Sequence, residues 1–516
     1  GLTVGGATRR IRDARPVILG VVILAIWATV GFRLFDLQVV RAAELTETGL
    51  SQRLTTEELA PRRGTIYDRN GQVLAFTIDA TTVFANPREV KDITEASLAV
   101  AAALGVPVDS IREKLDRDAG FVYLARQLEG DAAEAVEALE VAGIYAVDEP
   151  KRVYPTGAAA AHVIGFSDID GNGLEGLEHA YDDLLRGRPG FIQYEQSGGV
   201  QIPHGQEDRV DPEPAADLVS TIDLSLQFAS ANTCDKAITR TGAERCSIVI
   251  LDPKTGEILS LVVTPDFDPG DRSSLSPETL QNLAVRSLYE PGSTMKVVTI
   301  GAALEAGVVS PTKTYEVPGT IEFEDEELDK TWQFEDIDHK GTEVMTVADI
   351  VTRSSNVGTI LIGQELGFES HRDALTSWGF GQTTGIDLSS EAEGSVNLEP
   401  TCVTCGPSVS IGYSVNTTLV QMASIYAAVA NDGVLVTPHL VSATDVAGEV
   451  VDAPVDRREV ISRETAATLR ALLLNVVQLD EGTGRAARIE GSDRVGKTGT
   501  SRVCVEGAYH DDRFMA

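Results

Sequence analysis

Hydrophobic and polar positions divide the chain into regions with different periods. Val17 to Phe32 (VILGVVILAIWATVGF) is an unbroken uncharged run, preceded by Arg9, Arg10, Arg12 and Arg15 and followed by Arg33. As a helix, this run rises about 24 Å against a hydrocarbon core of ~30 Å. Leu34, Phe35 and Leu37 extend the apolar face, and Arg15 and Arg33 can snorkel, so a transmembrane helix is predicted over 17–37. The basic flank places residues 1–16 in the cytoplasm and the rest of the chain outside, as a single-pass anchor. A cleavable signal peptide has the same charge order, but no A-x-A-like site follows Phe32.

Residues 38–60 read as helical and then polar, a stalk leaving the membrane. From Pro61 the period shortens. In RRGTIYDRNGQVLAFT, Asn70-Gly71 lies between two apolar runs and predicts a hairpin. Residues 92–145 alternate helical, Ala-rich and acidic segments, and Asp211 to Ala216 (DPEPAA) is a Pro-containing boundary. Two strands follow, Cys246–Asp252 and Ile258–Val263, with Pro253-Lys254-Thr255-Gly256 as their turn. Helical patterns occupy 277–306, 343–366, 417–431 and 463–479. These shifts predict a mixed α/β (α+β) chain whose extracytoplasmic part begins a new pattern at Pro61 and divides at Asp211 to Ala216. There are no internal repeats and no low-complexity tract.

Composition narrows the function. The 516 residues hold 43 Lys plus Arg against 78 Asp plus Glu, a net charge of −35. That balance excludes nucleic acid as a main partner, because phosphate binding needs a basic footprint. Acidic runs such as Glu322 to Glu327 read as solvated faces. Asp168-Ile169-Asp170-Gly171-Asn172-Gly173 imitates the start of an EF-hand, but its twelfth position is His179, so a polar turn is the better reading. The seven His are scattered without an H-E-x-x-H, and neither a metal nor a cofactor is expected. Five Cys are too few for a disulfide scaffold. Cys402-Val403-Thr404-Cys405 has metal-like spacing without a second pair, and outside the membrane a local disulfide is the better reading. Cys234 and Cys246 are candidates for a second disulfide, which leaves Cys504 over.

Three short motifs carry the chemistry. Ser293-Thr294-Met295-Lys296 is an S-x-x-K after the break Glu290-Pro291-Gly292, so Ser293 should open a helix with its hydroxyl and the Lys296 amine on one face. A desolvated lysine whose pKa is pulled down can activate a serine nucleophile. Ser354-Ser355-Asn356 is an S-x-N, supplying a second hydroxyl for proton relay and an amide for substrate. Lys497-Thr498-Gly499, followed by Thr500, supplies a cation and hydroxyls, with Gly499 allowing close approach along a strand edge. Each motif alone is weak. Ser310-Pro311-Thr312-Lys313 is also S-x-x-K, S-x-N recurs at Ser230, Ser395 and Ser414, and K-T-G recurs at Lys254 in the predicted turn. Order and spacing discriminate: S-x-N about sixty residues after S-x-x-K, and K-T-G about 140 further, is the penicilloyl-serine transferase arrangement.

With these motifs in place the chain resembles the class B penicillin-binding proteins, which are peptidoglycan D,D-transpeptidases. The resemblance runs through RLFDLQVV, PRRGTIYDRNGQVLA, KRVYPTGAAAAHVIGF and GLEGLEHAYDDLLRGRPG in the anchor and pedestal. It continues through DLVSTIDLSLQ, DPKTGEILSLV, YEPGSTMK, RSSNVG and GFGQTTGIDL in the catalytic region. EPGSTMK and SSNVG look most like the cell-division subgroup, penicillin-binding protein 3 or FtsI, rather than the elongation subgroup. The resemblance implies a pedestal (dimerisation) domain over 56–210 and a transpeptidase domain over 245–516, an antiparallel sheet flanked by helices. It implies Ser293 as nucleophile, Lys296 as its base, Ser354 and Asn356 as proton relay and peptide holder, and Lys497 and Thr498 as positioners of Ser354 and the substrate carboxylate. The N–H groups of Ser293 and Thr500 form the implied oxyanion hole. Implied ligands are peptidoglycan stem peptides and β-lactams. Implied partners are a polytopic FtsW-like glycosyltransferase and division proteins. Two later strands and a final helix are also implied, so the chain is expected to be incomplete at its C-terminus, with Lys497 poorly supported and residues 1–516 alone inactive or unstable. Ser414 to Leu419 (SVNTTL) departs from the family's Thr-Pro, with no expected consequence for catalysis. The competing functions are a serine β-lactamase, a β-lactam sensor or non-catalytic scaffold, and a D,D-carboxypeptidase.

Overall fold

The computed structural model describes residues 7–42, 44–45, 53–59, 61–197, 200–202, 207–326, 329–336, 340–505 and 508–515. These form two compact units, one of residues 1–61 with 188–213 and one of residues 62–187 with 214–516.

In the first unit, the helix Ala7–Phe35 continues into a wider turn at Asp36–Val40. It is the one helix among the described residues long and apolar enough to cross a membrane, over Pro16–Val40. Its apolar side chains are bare, Trp27 at 71% and Phe32 at 74% exposure. The side chains of the basic flank up to Arg15 lie outside the described residues, and the predicted stalk is described only in part. Strand Leu54–Leu59 pairs antiparallel with Gly190–Ser197, which also carries Glu207–Val210 and Val200–Gln201.

The second unit contains one sheet of seven strands. Its order is 449–452, 441–446, 216–220, 66–67, 73–85 and 122–128, with 144–153 also paired to 73–85. Only 216–220 against 66–67 is parallel. The Asn70-Gly71 hairpin forms as its sequence predicts. Asp68 Oδ1 accepts the N–H groups of Asn70 at 2.8 Å and Gln72 at 2.7 Å, and Gly71 takes a positive φ. Helices Ile93–Leu104, Val108–Leu115 and Asp131–Glu137 bury Val100, Ile111, Leu115 and Val136 with Val83 and Leu124 of the sheet.

The signature segments around residues 63, 152 and 178 meet in a buried ion cluster. Glu178, with no exposure, accepts from Arg63 Nε at 2.5 Å and Arg152 Nε at 2.7 Å. Arg63 also donates to Asp182 at 2.7 Å and to the Glu178 carbonyl at 2.7 Å, and Arg152 to the Gly64 carbonyl at 2.7 Å. The EF-hand-like segment is a turn closed by its own groups: Asp168 Oδ1 accepts from the N–H of Asp170 and Asn172.

Strands Cys246–Leu251 and Ile258–Thr264 pair as a hairpin, and the second K-T-G lies in its turn, where Asp252 Oδ1 accepts the Lys254 N–H at 2.8 Å. Two helical expectations are corrected. The 277–306 stretch breaks into Leu283–Arg286, a 3-10 turn at Gly292–Thr294 and the helix Lys296–Glu305, because Pro291 and Gly292 (φ 53°) interrupt the helical path. The 343–366 stretch begins as the strand Glu343–Thr346, paired to Thr314–Val317, before the helices Val347–Thr352 and Asn356–Leu366. Leu419–Ala430 and Arg463–Gln478 form as helices. Disulfides Cys234–Cys246 and Cys402–Cys405 are both closed, and the Cys504 side chain lies outside the described residues.

Candidate active site

The helix Lys296–Glu305 is an unusual place for a lysine. Its residues 296–303 are all buried, and Met295, Val298 and Ile300 pack into a core with Trp378, Leu469, Leu472 and Leu473. Lys296 therefore extends its amine out of an apolar wall with only 3% exposure. Ser293 stands three residues earlier in the 3-10 turn, half-buried.

Ser354 lies in the short link between helices Val347–Thr352 and Asn356–Leu366, at φ 58°. A non-glycine residue is rarely left-handed, and such strain collects at functional sites. The consequence here is that the Ser354 carbonyl and hydroxyl both face lysines. Lys296 Nζ donates to Ser354 O at 2.6 Å and to Asn356 Oδ1 at 2.6 Å, with Ser354 Oγ at 3.3 Å. Lys497 Nζ donates to Ser354 Oγ at 2.7 Å and to Thr498 O at 3.1 Å. A neutral amine has two N–H groups and one lone pair. Two short acceptors occupy the N–H groups of Lys296 and leave its lone pair for a proton.

The electrostatics favour that neutral form. Burial pushes the Lys296 amine well below its ordinary value, the Lys497 charge adds to the depression, and Asp336 opposes it. Burial alone lowers Lys497 to about 8. Two lysines beside one serine hydroxyl thus hold different protonation tendencies, as an acid–base pair requires.

Lys497 to Thr500 lie outside any strand; the strand begins at Ser501 and pairs with Ala508–Met515. This differs from the expected strand edge. Among the described residues this pair and the 246–264 hairpin are separate sheets, so 497–500 has no ladder partner and is held by side chains. Glycines let it approach the serine turn. A Cβ on Gly499 would lie 2.7 Å from Thr294 Cγ2, and one on Gly292 would lie 2.7 Å from the Thr500 carbonyl. Thr498 Oγ1 lies 2.7 Å from Thr483 Oγ1.

The structure thus joins Lys296, Ser354, Asn356 and Lys497 by direct hydrogen bonds and lays Gly499 and Thr500 against the turn of Ser293. Among the described residues no hydrogen bond reaches Ser293 Oγ; in this state the Lys296 N–H groups serve Ser354 and Asn356. Catalytic hydrogen bonds commonly tighten only with substrate bound.

Two residues escape the motif reading. Asp336 is buried, accepts from the Ser355 hydroxyl at 2.5 Å, and accepts the N–H groups of Asn356 and Val357 at the start of the S-x-N helix. Its neighbour Glu335 offers its carbonyl to Asn356 Nδ2 at 3.0 Å. Thr483 orients Thr498. Neither stands in a recognisable pattern; only a helix N-terminus needing acceptors hinted at the first. Asp336→Asn is expected to slow acylation and lower stability by about 1–3 kcal/mol, since it weakens charge-assisted bonds to three donors. Thermal melts and penicillin acylation rates on the purified variant check both. The segment Ser414–Leu419 also touches the nucleophile loop. Thr417 and Tyr289 exchange main-chain hydrogen bonds at 2.9 and 3.0 Å, and the Ser414 N–H donates to Glu290 at 2.7 Å, so this segment braces the loop leading to Ser293.

A family model described as the penicillin binding protein transpeptidase domain matches residues 246–515, and one described as the penicillin-binding protein dimerisation domain matches 58–220. Penicillin-binding protein PbpB of Mycobacterium tuberculosis is 34% identical over 525 residues, covering 96% of this chain and 76% of the relative. Stage V sporulation protein D of Bacillus subtilis is 33% identical over 531 residues, covering 100% and 80%. Among solved structures, penicillin binding protein 3 from Mycobacterium tuberculosis complexed with aztreonam superposes with a TM-score of 0.69 at 30% identity, covering 89% of this chain and 86% of that one.

Proposed function

The chain belongs to the class B penicillin-binding proteins, and from that premise we propose how its own residues perform the serine D,D-transpeptidase reaction of that family. Ser293 Oγ attacks the penultimate D-Ala carbonyl of a stem peptide while its proton passes to the Lys296 lone pair. The N–H groups of Ser293 and Thr500 stabilise the oxyanion. Collapse expels the terminal D-Ala, whose amine takes a proton through Ser354, and leaves an ester on Ser293. The amine of a second stem peptide attacks that ester, loses its proton along the same route and restores the serine. Lys497 and Thr498 hold the substrate carboxylate, and Asn356 holds the peptide. A β-lactam enters by the first step and stays as the ester. The observation that carries this reading is the convergence of two depressed lysines on Ser354, at 2.7 and 3.3 Å from its hydroxyl.

The test is fluorescent-penicillin labelling of the complete protein. Stoichiometric labelling abolished by Ser293→Ala is expected. Labelling that survives this substitution sinks the assignment, and rapid turnover of a chromogenic cephalosporin would favour a β-lactamase.

The remaining assignments rest on the same likeness. The domain division is a pedestal over 56–210 and a transpeptidase domain over 245–516. The apolar helix anchors the protein in the bacterial plasma membrane with its N-terminus in the cytoplasm, a topology supported by the flanking arginines. Septal wall synthesis is the proposed role, supported by the forms EPGSTMK and SSNVG, and by 29% identity over 514 residues to peptidoglycan D,D-transpeptidase FtsI of Escherichia coli. The proposed partners are an FtsW-like glycosyltransferase and division proteins.

A further inference from the structure

We propose that Tyr426 is a positioning residue for the nucleophile, its hydroxyl holding the turn that presents Ser293. The inference rests on Ser293 being the acylated serine.

The turn itself creates the need. Through Gly292–Thr294 the chain is wound as a 3-10 helix, with Met295 N–H bonded to Gly292 O at 2.9 Å and Thr294 N–H to Pro291 O at 3.3 Å. In a regular α-helix the Val298 N–H would reach the Thr294 carbonyl. Here it bonds one residue later, to Met295 O at 2.9 Å. The Thr294 carbonyl is thus not the acceptor of the Val298 N–H. Tyr426 Oη supplies the bond at 2.9 Å. Such tightened turns have poorer hydrogen-bond geometry than the α-helix, so an added donor decides which conformation persists.

The helix that brings Tyr426 is itself anchored to the same loop. Leu419–Ala430 begins with a capping box between Thr418 and Gln421. The preceding Thr417 exchanges main-chain bonds with Tyr289, four residues before Ser293. Gln421 Nε2 further ties the helix to the carbonyls of Gln382 at 2.6 Å and Glu393 at 2.8 Å. One helix therefore clamps the nucleophile loop at both ends, by main chain at Tyr289 and by the phenol at Thr294. Burial pushes the Tyr426 phenol upward, so it stays a donor across the working range. What the clamp sets is the direction of Ser293 Oγ and of the Ser293 N–H, and reacting groups misplaced by about 1 Å can cost 10²-fold in rate.

The test is Tyr426→Phe in the complete, detergent-solubilised protein, with the time course of fluorescent-penicillin acylation followed from milliseconds onward. The substitution removes one oxygen and keeps the ring. The expected result is a fall of about tenfold in the acylation rate constant at saturating penicillin. The half-saturating concentration, the final labelled amplitude and the midpoint of the acid limb of the pH profile should stay as in the parent. A purely structural role would instead lower the amplitude and leave the rate of the remaining molecules unchanged. An unchanged rate constant, or lost amplitude whether partial or complete without a slowed rate, overturns the proposal. Failure of the parent protein to label, or labelling that persists in Ser293→Ala, would instead indict the acyl-serine reading.

Discussion

Lys296→Met is expected to slow acylation of Ser293 by about 10²–10⁴-fold, the usual contribution of a positioned general base. Methionine keeps an unbranched apolar stem in the wall of Ile300, Val351 and Leu469 and removes only the amine. Lys296→Arg should be as slow, because a guanidinium keeps the charge and cannot give up its proton. Near-parental activity in the arginine variant would show that charge, and not basicity, is what Lys296 supplies. The pH dependence has a definite sign. Acylation should rise with pH as Lys296 loses its proton, at a value well below the ordinary lysine range. It should fall again near pH 8, where Lys497 loses its charge, on the proposal that this charge serves Ser354 and the substrate carboxylate. An alkaline limb that persists unchanged in Lys497→Met would break the second assignment. The same depressed values bear on stability. Unfolded lysines bind protons up to about pH 10.4 while the folded ones have released them, so stability rises with pH from about 8 to that value. Lys296→Met removes part of this cost, and its melting temperature should equal or exceed the parent's. That outcome separates loss of a base from loss of fold.

Glu178→Ala is expected to destabilise the second unit by about 3–5 kcal/mol, the range for removing one partner of a buried ion pair. Glu178 is fully buried and neutralises Arg63 and Arg152, which are themselves nearly buried. Alanine leaves two guanidiniums desolvated with Asp182 as the remaining carboxylate on Arg63. Glu178→Gln should fall in between, because it keeps the acceptor and drops the charge. Urea or thermal unfolding of the purified variants checks the order. Equal stability of Glu178→Ala and the parent would mean that water reaches the cluster, contrary to its burial. The cluster gives a physical meaning to three signature segments that sequence reading could only match to a family: PRRGTIYD, KRVYP and GLEGLEHAYDD each contribute a charge to it.

The legible parts of the molecule share one property: their signal is local. The apolar run at 17–32 has a length and flank that announce a membrane helix. The hairpins at Asn70-Gly71 and Pro253–Gly256 carry their own turn residues. The disulfides Cys234–Cys246 and Cys402–Cys405 join near neighbours in sequence. The order of S-x-x-K, S-x-N and K-T-G is itself a one-dimensional pattern, and of the residues it names the structure joins Lys296, Ser354, Asn356 and Lys497 by hydrogen bonds. The helix expected over 277–306 is interrupted for a local reason, the break at Pro291-Gly292.

The parts decided only by tertiary structure depend on contacts between residues far apart in the chain. No spacing says that Asp336 will cap the helix of Asn356, that Thr483 will meet Thr498, or that Tyr426 will reach the carbonyl of Thr294. Each is an ordinary residue whose role appears once packing of the surrounding core fixes its neighbours. The same holds for the chemistry. The sequence supplies a lysine three residues after a serine, but burial against an apolar wall and a second lysine on Ser354 are what lower its pKa. Sequence determined which groups are present and in what order; folding set their distances and their dielectric, and those two quantities decide whether an amine is a cation or a base.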